Sequence, residues 1–151
     1  MAEPFEFDRE WNFPVSRDEF WATILRVDDY TSWWRWLRRF DADGLYAGAH
    51  ADCTIQAPLP FALSFAIDVE DVIEGDRVDT WISGDLEGPA RLELRTLPEG
   101  CAARLVWTLD LHHRLVLPLA VVARPALVWS HDQVVKVGLS AFERNALGRT
   151  D

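Results

Sequence analysis

The chain has 151 residues, 49% of them hydrophobic, which suits one domain with a substantial core and excludes a disordered chain. Its 25 acidic residues outnumber its 15 basic ones, and the net charge of −10 argues against partners built on phosphates, whether nucleic acid or anionic membrane. Eight tryptophans point either to a pocket wall or to a strongly aromatic core.

The N-terminal residues lack the basic start and apolar stretch of a secretory signal. The longest uncharged apolar run, Leu115 to Ala123, contains Pro118 and falls well short of the roughly 20 residues that span a membrane. A cytoplasmic location without membrane insertion is therefore expected. Cys53 and Cys101 stand alone and read as buried thiols. His50, His112, His113 and His131 lack ligand spacing, so no metal is expected. No nucleotide-binding glycine loop and no GxSxG motif is present, and no cofactor is expected.

Phe5 to Phe13 alternate apolar and polar residues, with Phe5, Phe7, Trp11 and Phe13 on one parity, and predict a strand ended by Pro14. Ser16 and Glu19 form a capping box for a helix from about Arg17 to Val27 that buries Phe20, Trp21, Ile24 and Leu25. Trp33, Trp36, Leu37 and Phe40 follow helical spacing and predict a second short helix from about Tyr30 to Phe40. Trp34 falls off that stripe and is expected to be exposed. From Asp52 to His112 alternation recurs, punctuated by turns at Glu74–Asp76 and Pro98–Gly100, which predicts neighbouring antiparallel strands. The last element has helical period. From Pro125 to about Leu147, an arc of Leu127, His131, Val134, Val135, Gly138, Ala141 and Phe142 opposes an arc of polar residues. The expected fold is α+β: an antiparallel sheet of six to seven strands, curved around one long C-terminal helix, with two short helices after the first strand.

Four segments carry a resemblance. They are WNFPVSRDEFWATI at Trp11–Ile24, DDYTSWWRW at Asp28–Trp36, SGDLEG at Ser83–Gly88 and WSHDQVVKVGL at Trp129–Leu139. In this order and spacing the chain resembles the START-related superfamily of polyketide cyclases, lipid-transfer domains and birch-pollen-allergen-like proteins. The polyketide cyclase/dehydrase-like branch is the most similar. The resemblance covers nearly the whole chain and implies one START-like domain over 1–151 with the helix-grip fold and an internal cavity for a hydrophobic or aromatic small molecule. It does not imply a single activity, because members bind, transfer, cyclise or sense ligands.

The expected cavity wall is Trp33, Trp36, Phe65, Ile67, Leu94, Trp107, Leu127, His131, Val134, Val135, Gly138 and Phe142. His131 is the only ionisable residue in the centre of the apolar arc and the sole candidate for a catalytic acid or base. Gly138 lies two turns further on, where a mid-helix glycine needs a close neighbour or a ligand to offset its cost. The strand acids Asp68, Glu70 and Asp79 fall on the polar parity and read as a solvated face. Three functions compete: a hydrophobic-ligand binder, a polyketide cyclase or dehydrase using His131, and an interaction protein whose tryptophans fill its own core. The protein is expected to be a monomer or homodimer.

Overall fold

The computed structural model describes residues 5–34, 36–56, 62–112 and 142. Strand β1 (Phe5–Phe13) follows its alternation and stops before Pro14, which has no amide hydrogen to extend a ladder. Ser16 caps helix α1 (Arg17–Ile24), its Oγ accepting from the Glu19 amide at 3.0 Å. Phe20, Trp21 and Ile24 are buried as the pattern predicts. The helix is shorter than predicted, and Leu25 is 43% exposed rather than buried. The cause is a tightening of the backbone: the Arg26 amide bonds to Thr23, three residues back, and a 3₁₀ turn (Val27–Asp29) buries Val27 instead.

The second predicted helix is corrected. Helix α2 is one turn long (Tyr30–Trp33), Trp34 is already extended, and Leu37–Ala42 is strand β2. From Leu37 the chain finds hydrogen-bond partners on the neighbouring β3, and this pairing overrides the local helical spacing. The spacing of Leu37 and Phe40 has a different origin. The register with β3 shifts between Leu37 and Arg39, and such a bulge points two residues three apart toward the same face. Trp34 is half-buried rather than exposed, with its ring against Tyr30, Trp33, Trp36 and Phe142.

Strands β3 (His50–Ile55), β4 (Leu63–Ile73), β5 (Arg77–Gly84), β6 (Leu86–Leu97) and β7 (Gly100–Leu111) complete a seven-stranded sheet. Its order is β1-β7-β6-β5-β4-β3-β2, with every neighbouring pair antiparallel. The turns at Glu74–Asp76 and Pro98–Glu99 fall where the sequence marks them. The sheet curls, and one face holds the core.

Register assigns each side chain to a face. Trp11 lies opposite Ala103, and Ala103 opposite Leu94; Phe13 lies opposite Cys101. This inner parity packs against Phe20, Trp21 and Ile24 of α1, Trp33 of α2 and Phe142. Phe142 has helical backbone and is buried, with its ring 5.3 Å from Phe20 and 5.7 Å from Trp33. The remainder of the predicted C-terminal helix, including Leu127, His131, Val134, Val135 and Gly138, lies outside the described residues.

The outer parity is charged. Glu10, Arg104, Glu93 and Arg77 follow one another across β1, β7, β6 and β5 with alternating sign. The Arg104 guanidinium donates to both oxygens of Asp8 and also reaches Glu93, Arg95 donates to both oxygens of Glu10, and Asp79 accepts from Arg91 with Arg77 beside it at 2.9 Å. Hydrogen bonds from arginine hold the Asp8 and Glu10 carboxyls below the ordinary carboxylate range. Opposite charges placed across strands favour this register only weakly where water screens them, and here they engage Asp8, Glu10 and Asp79 as structural partners.

Candidate functional site: the concave face of the sheet

The inner face is filled unevenly. At one end Phe13, Leu94, Cys101 and Ala103 are buried beneath α1, α2 and Phe142. Toward the other end the row Phe7, Trp107, Ala90, Thr80 and Val69 crosses five strands. Beside it runs Arg9, Leu105, Leu92, Val78 and Val72, the last placed on this parity by a bulge between Val69 and Asp71. Trp107, Leu105, Leu92, Ala90 and Thr80 in these rows, with Phe65 and Ile67 on β4, are half-buried.

The aromatic residues are ordered against each other. Trp107 stacks on Phe7 with ring centres 4.3 Å apart and planes 12° from parallel, and Phe7 stacks in turn on Trp11 at 5.9 Å. The Arg9 guanidinium sits 5.6 Å from the centre of the Phe7 ring, within cation–π range. This gives β1, an edge strand, an aromatic wall with one cation set into it.

The predicted site residues separate accordingly. Trp33, at 3% exposure, and Leu94 and Phe142 belong to the packed core. Trp36 is half-buried and stacked on Trp34, and its buried indole nitrogen has no hydrogen-bond partner among the described residues. Phe65, Ile67 and Trp107 lie on the half-buried part of the inner parity. Leu127, His131, Val134, Val135 and Gly138 are outside the described residues. Sequence reasoning misses Arg9. It shares the parity of Phe7 and Trp11, and the alternation shows a charged residue standing where an apolar one is expected.

The strand acids stand away from this face. Asp68 and Glu70 are exposed, and Asp79 is engaged by Arg77 and Arg91. A groove of about 540 Å³ on the outer face of β5 to β7 is lined by Asp79, Arg91, Glu93 and Arg104. Glu70 and Asp71 line it too, so its carboxylates outnumber its two arginines, and those arginines are already paired with Asp79, Asp8 and Glu93. On the outer face of β3, Nδ1 of His50 is 2.7 Å from Asp68 and Nε2 is 3.1 Å from Asp52. Both ring nitrogens can donate only as imidazolium, and the two carboxylates raise the His50 pKa.

Burial raises the Cys53 thiol to about 12 and also raises that of Cys101, so neither is a ready nucleophile. Among the described residues no group of three or more His, Cys, Asp or Glu side chains converges as a metal site, and no helix is long and apolar enough to cross a membrane.

No family model matches the sequence, and no curated protein matches it. Solved structures match the fold over nearly the whole chain. TTHA0849 from Thermus thermophilus superimposes with a TM-score of 0.79 at 12% identity, covering 97% of this chain and 100% of that one. A START superfamily protein from Mycobacterium smegmatis gives 0.71 at 11% identity, covering 96% and 99%. The di-domain ARO/CYC StfQ from the steffimycin biosynthetic pathway gives 0.68 at 12% identity, covering 95% of this chain and 52% of that one. Ara h 8.0201 is similar at a TM-score of 0.69 and 13% identity, covering 97% of this chain and 99% of that one. The chain therefore has the START and polyketide cyclase-like fold. Identities this low establish the fold alone.

Proposed function

We propose that this protein binds a hydrophobic or aromatic small molecule, such as a polyketide or lipid-like metabolite, between the concave face of its sheet and a helix over about 125–147. One observation carries the reading. The inner face is packed around Phe13, Leu94, Val69 and Val78, while the apolar Phe65, Ile67, Leu105 and Trp107 are only half-buried. A ligand that covers such surface removes it from water. Burying about 300 Å² of apolar ligand is worth at most about 7 kcal/mol before association costs, enough for micromolar affinity without catalysis.

Binding is favoured over turnover because the strand carboxylates Asp8, Glu10, Asp79 and Glu93 lie on the outer face in ion pairs with arginine. A cyclase or dehydrase would then depend on His131, with Leu127, Val134, Val135 and Gly138 beside it on the apolar arc.

The test is titration with a neutral hydrophobic fluorophore, N-phenyl-1-naphthylamine, beside thermal unfolding. Wild type is expected to bind it. Gly138→Leu is expected to block binding with little loss of stability, since free volume accepts the side chain. His131→Leu is expected to stay folded but to change ligand preference. In a fully packed interior, Gly138→Leu should instead cost about 1–3 kcal/mol, and no probe should bind; an interaction protein with a filled core would then be the better reading.

A further inference from the structure

We infer that the ligand carries an anionic group, and that Arg9 recognises it at the β1 edge of the concave face. The inference rests on the proposed binding function and names the chemical class: an aromatic or apolar body with one carboxylate or comparably small anion.

The register isolates Arg9. Its row continues through Leu105, Leu92, Val78 and Val72, all apolar, so the guanidinium ends an apolar row on the inner parity. The other arginines of this part of the sheet face outward and are already matched: Arg77 and Arg91 with Asp79, Arg95 with Glu10, Arg104 with Asp8. Arg9 has no such match. Its contact is the Phe7 ring, and no carboxylate among the described residues pairs with it. The side chain is exposed, so its N–H groups remain open to a ligand. The contact with the Phe7 ring satisfies none of the guanidinium's N–H donors, which are suited to bidentate contact with a carboxylate.

The surrounding charge sharpens the argument. A chain of net charge −10 repels anions over most of its surface, so an anion needs a local cation to be held. Beside Arg9 the rings of Phe7, Trp107 and Trp11 form a stacked wall suited to a flat aromatic body. One edge strand thus offers both halves of an amphipathic anion's recognition.

The test compares two probes with similar aromatic bodies. 1-Anilinonaphthalene-8-sulfonate carries an anion; N-phenyl-1-naphthylamine does not. Both are titrated into wild type, Arg9→Gln, Arg9→Lys and Arg38→Gln, the last removing an exposed arginine on the opposite edge strand. Arg9→Gln is expected to weaken the anionic probe about tenfold and the neutral one less than twofold. Arg9→Lys should keep the charge but not the bidentate contact and so fall between wild type and Arg9→Gln for the anionic probe, and Arg38→Gln should match wild type. Raising the salt concentration should weaken only the anionic probe in wild type, a readout that needs no variant. Equal loss of both probes in Arg9→Gln would make Arg9 part of the wall rather than the anion's partner and overturn the inference. An unchanged anionic affinity, or the same loss in Arg38→Gln, would overturn it while leaving the cavity intact. If wild type binds neither probe, the binding function itself fails, and the inference with it.

Discussion

Phe142→Ala is expected to destabilise the protein by about 3–5 kcal/mol, the range for deleting a fully packed phenylalanine. Phe142 joins parts of the chain that are distant in sequence: its ring lies 6.0 Å from Phe13 on β1, 5.3 Å from Phe20 on α1, 5.7 Å from Trp33 on α2 and 6.1 Å from Trp34. Alanine would leave a cavity lined by four aromatic rings, which cannot collapse without moving two helices. Urea unfolding followed by tryptophan fluorescence measures the loss, and the native spectrum should shift to the red as Trp33 and Trp34 become wetter. A loss under about 1 kcal/mol would mean that this end of the core is held together without Phe142.

The second large effect is expected at Gly88. Its φ is +145°, and a Cβ built there would stand 2.0 Å from the Thr108 carbonyl oxygen of the adjacent strand. Rigid backbone rather than a flexible side-chain tip receives the clash, so β6 and β7 must separate between the Glu87–Asp110 and Ala90–Trp107 pairs. Gly88→Ala should cost about 3 kcal/mol or more and lower the melting temperature by roughly 10 °C. Gly75→Ala is the matched control. Gly75 also has positive φ, +75°, but nothing stands within 4 Å, so only backbone strain of about 1 kcal/mol is expected. Equal melting temperatures for the two variants would show that β6 approaches β7 more loosely than this geometry requires.

These two positions also show what the sequence makes legible. Apolar parity on β1, the Ser16 cap and the turns at Glu74–Asp76 and Pro98–Glu99 are local signals, and each acts where it is written. The helix read over Tyr30–Phe40 fails for a definite reason. A β-bulge adds one residue to a strand, so Leu37 and Phe40 acquire the spacing of a helix face while belonging to a strand. The same happens at Val69 and Val72. A bulge is set by the partner strand and not by the local pattern, so periodicity alone cannot distinguish it from one helical turn.

The candidate site is legible in part. Alternation groups Phe65, Ile67 and Trp107 on the apolar parity of their strands, and register shows that this parity is the inner one. Leu94 carries the same signal but lies in the closed end of the face, because whether an inward residue is covered depends on α1, α2 with its Trp33, and Phe142, which come from elsewhere in the chain. Arg9 stands on the apolar parity of its strand, a signal that the alternation carries, but between Asp8 and Glu10 it reads as one more polar residue until register shows what it shares a face with.

The central claim is that this fold holds a small hydrophobic molecule, and native mass spectrometry of the untagged protein as purified tests it most directly. The account predicts a population heavier than the bare chain by one organic molecule of a few hundred daltons, released on denaturation. It predicts that protein stripped of that molecule takes up one equivalent of N-phenyl-1-naphthylamine. A single species at the bare mass that stays at the bare mass with the probe in excess would contradict it.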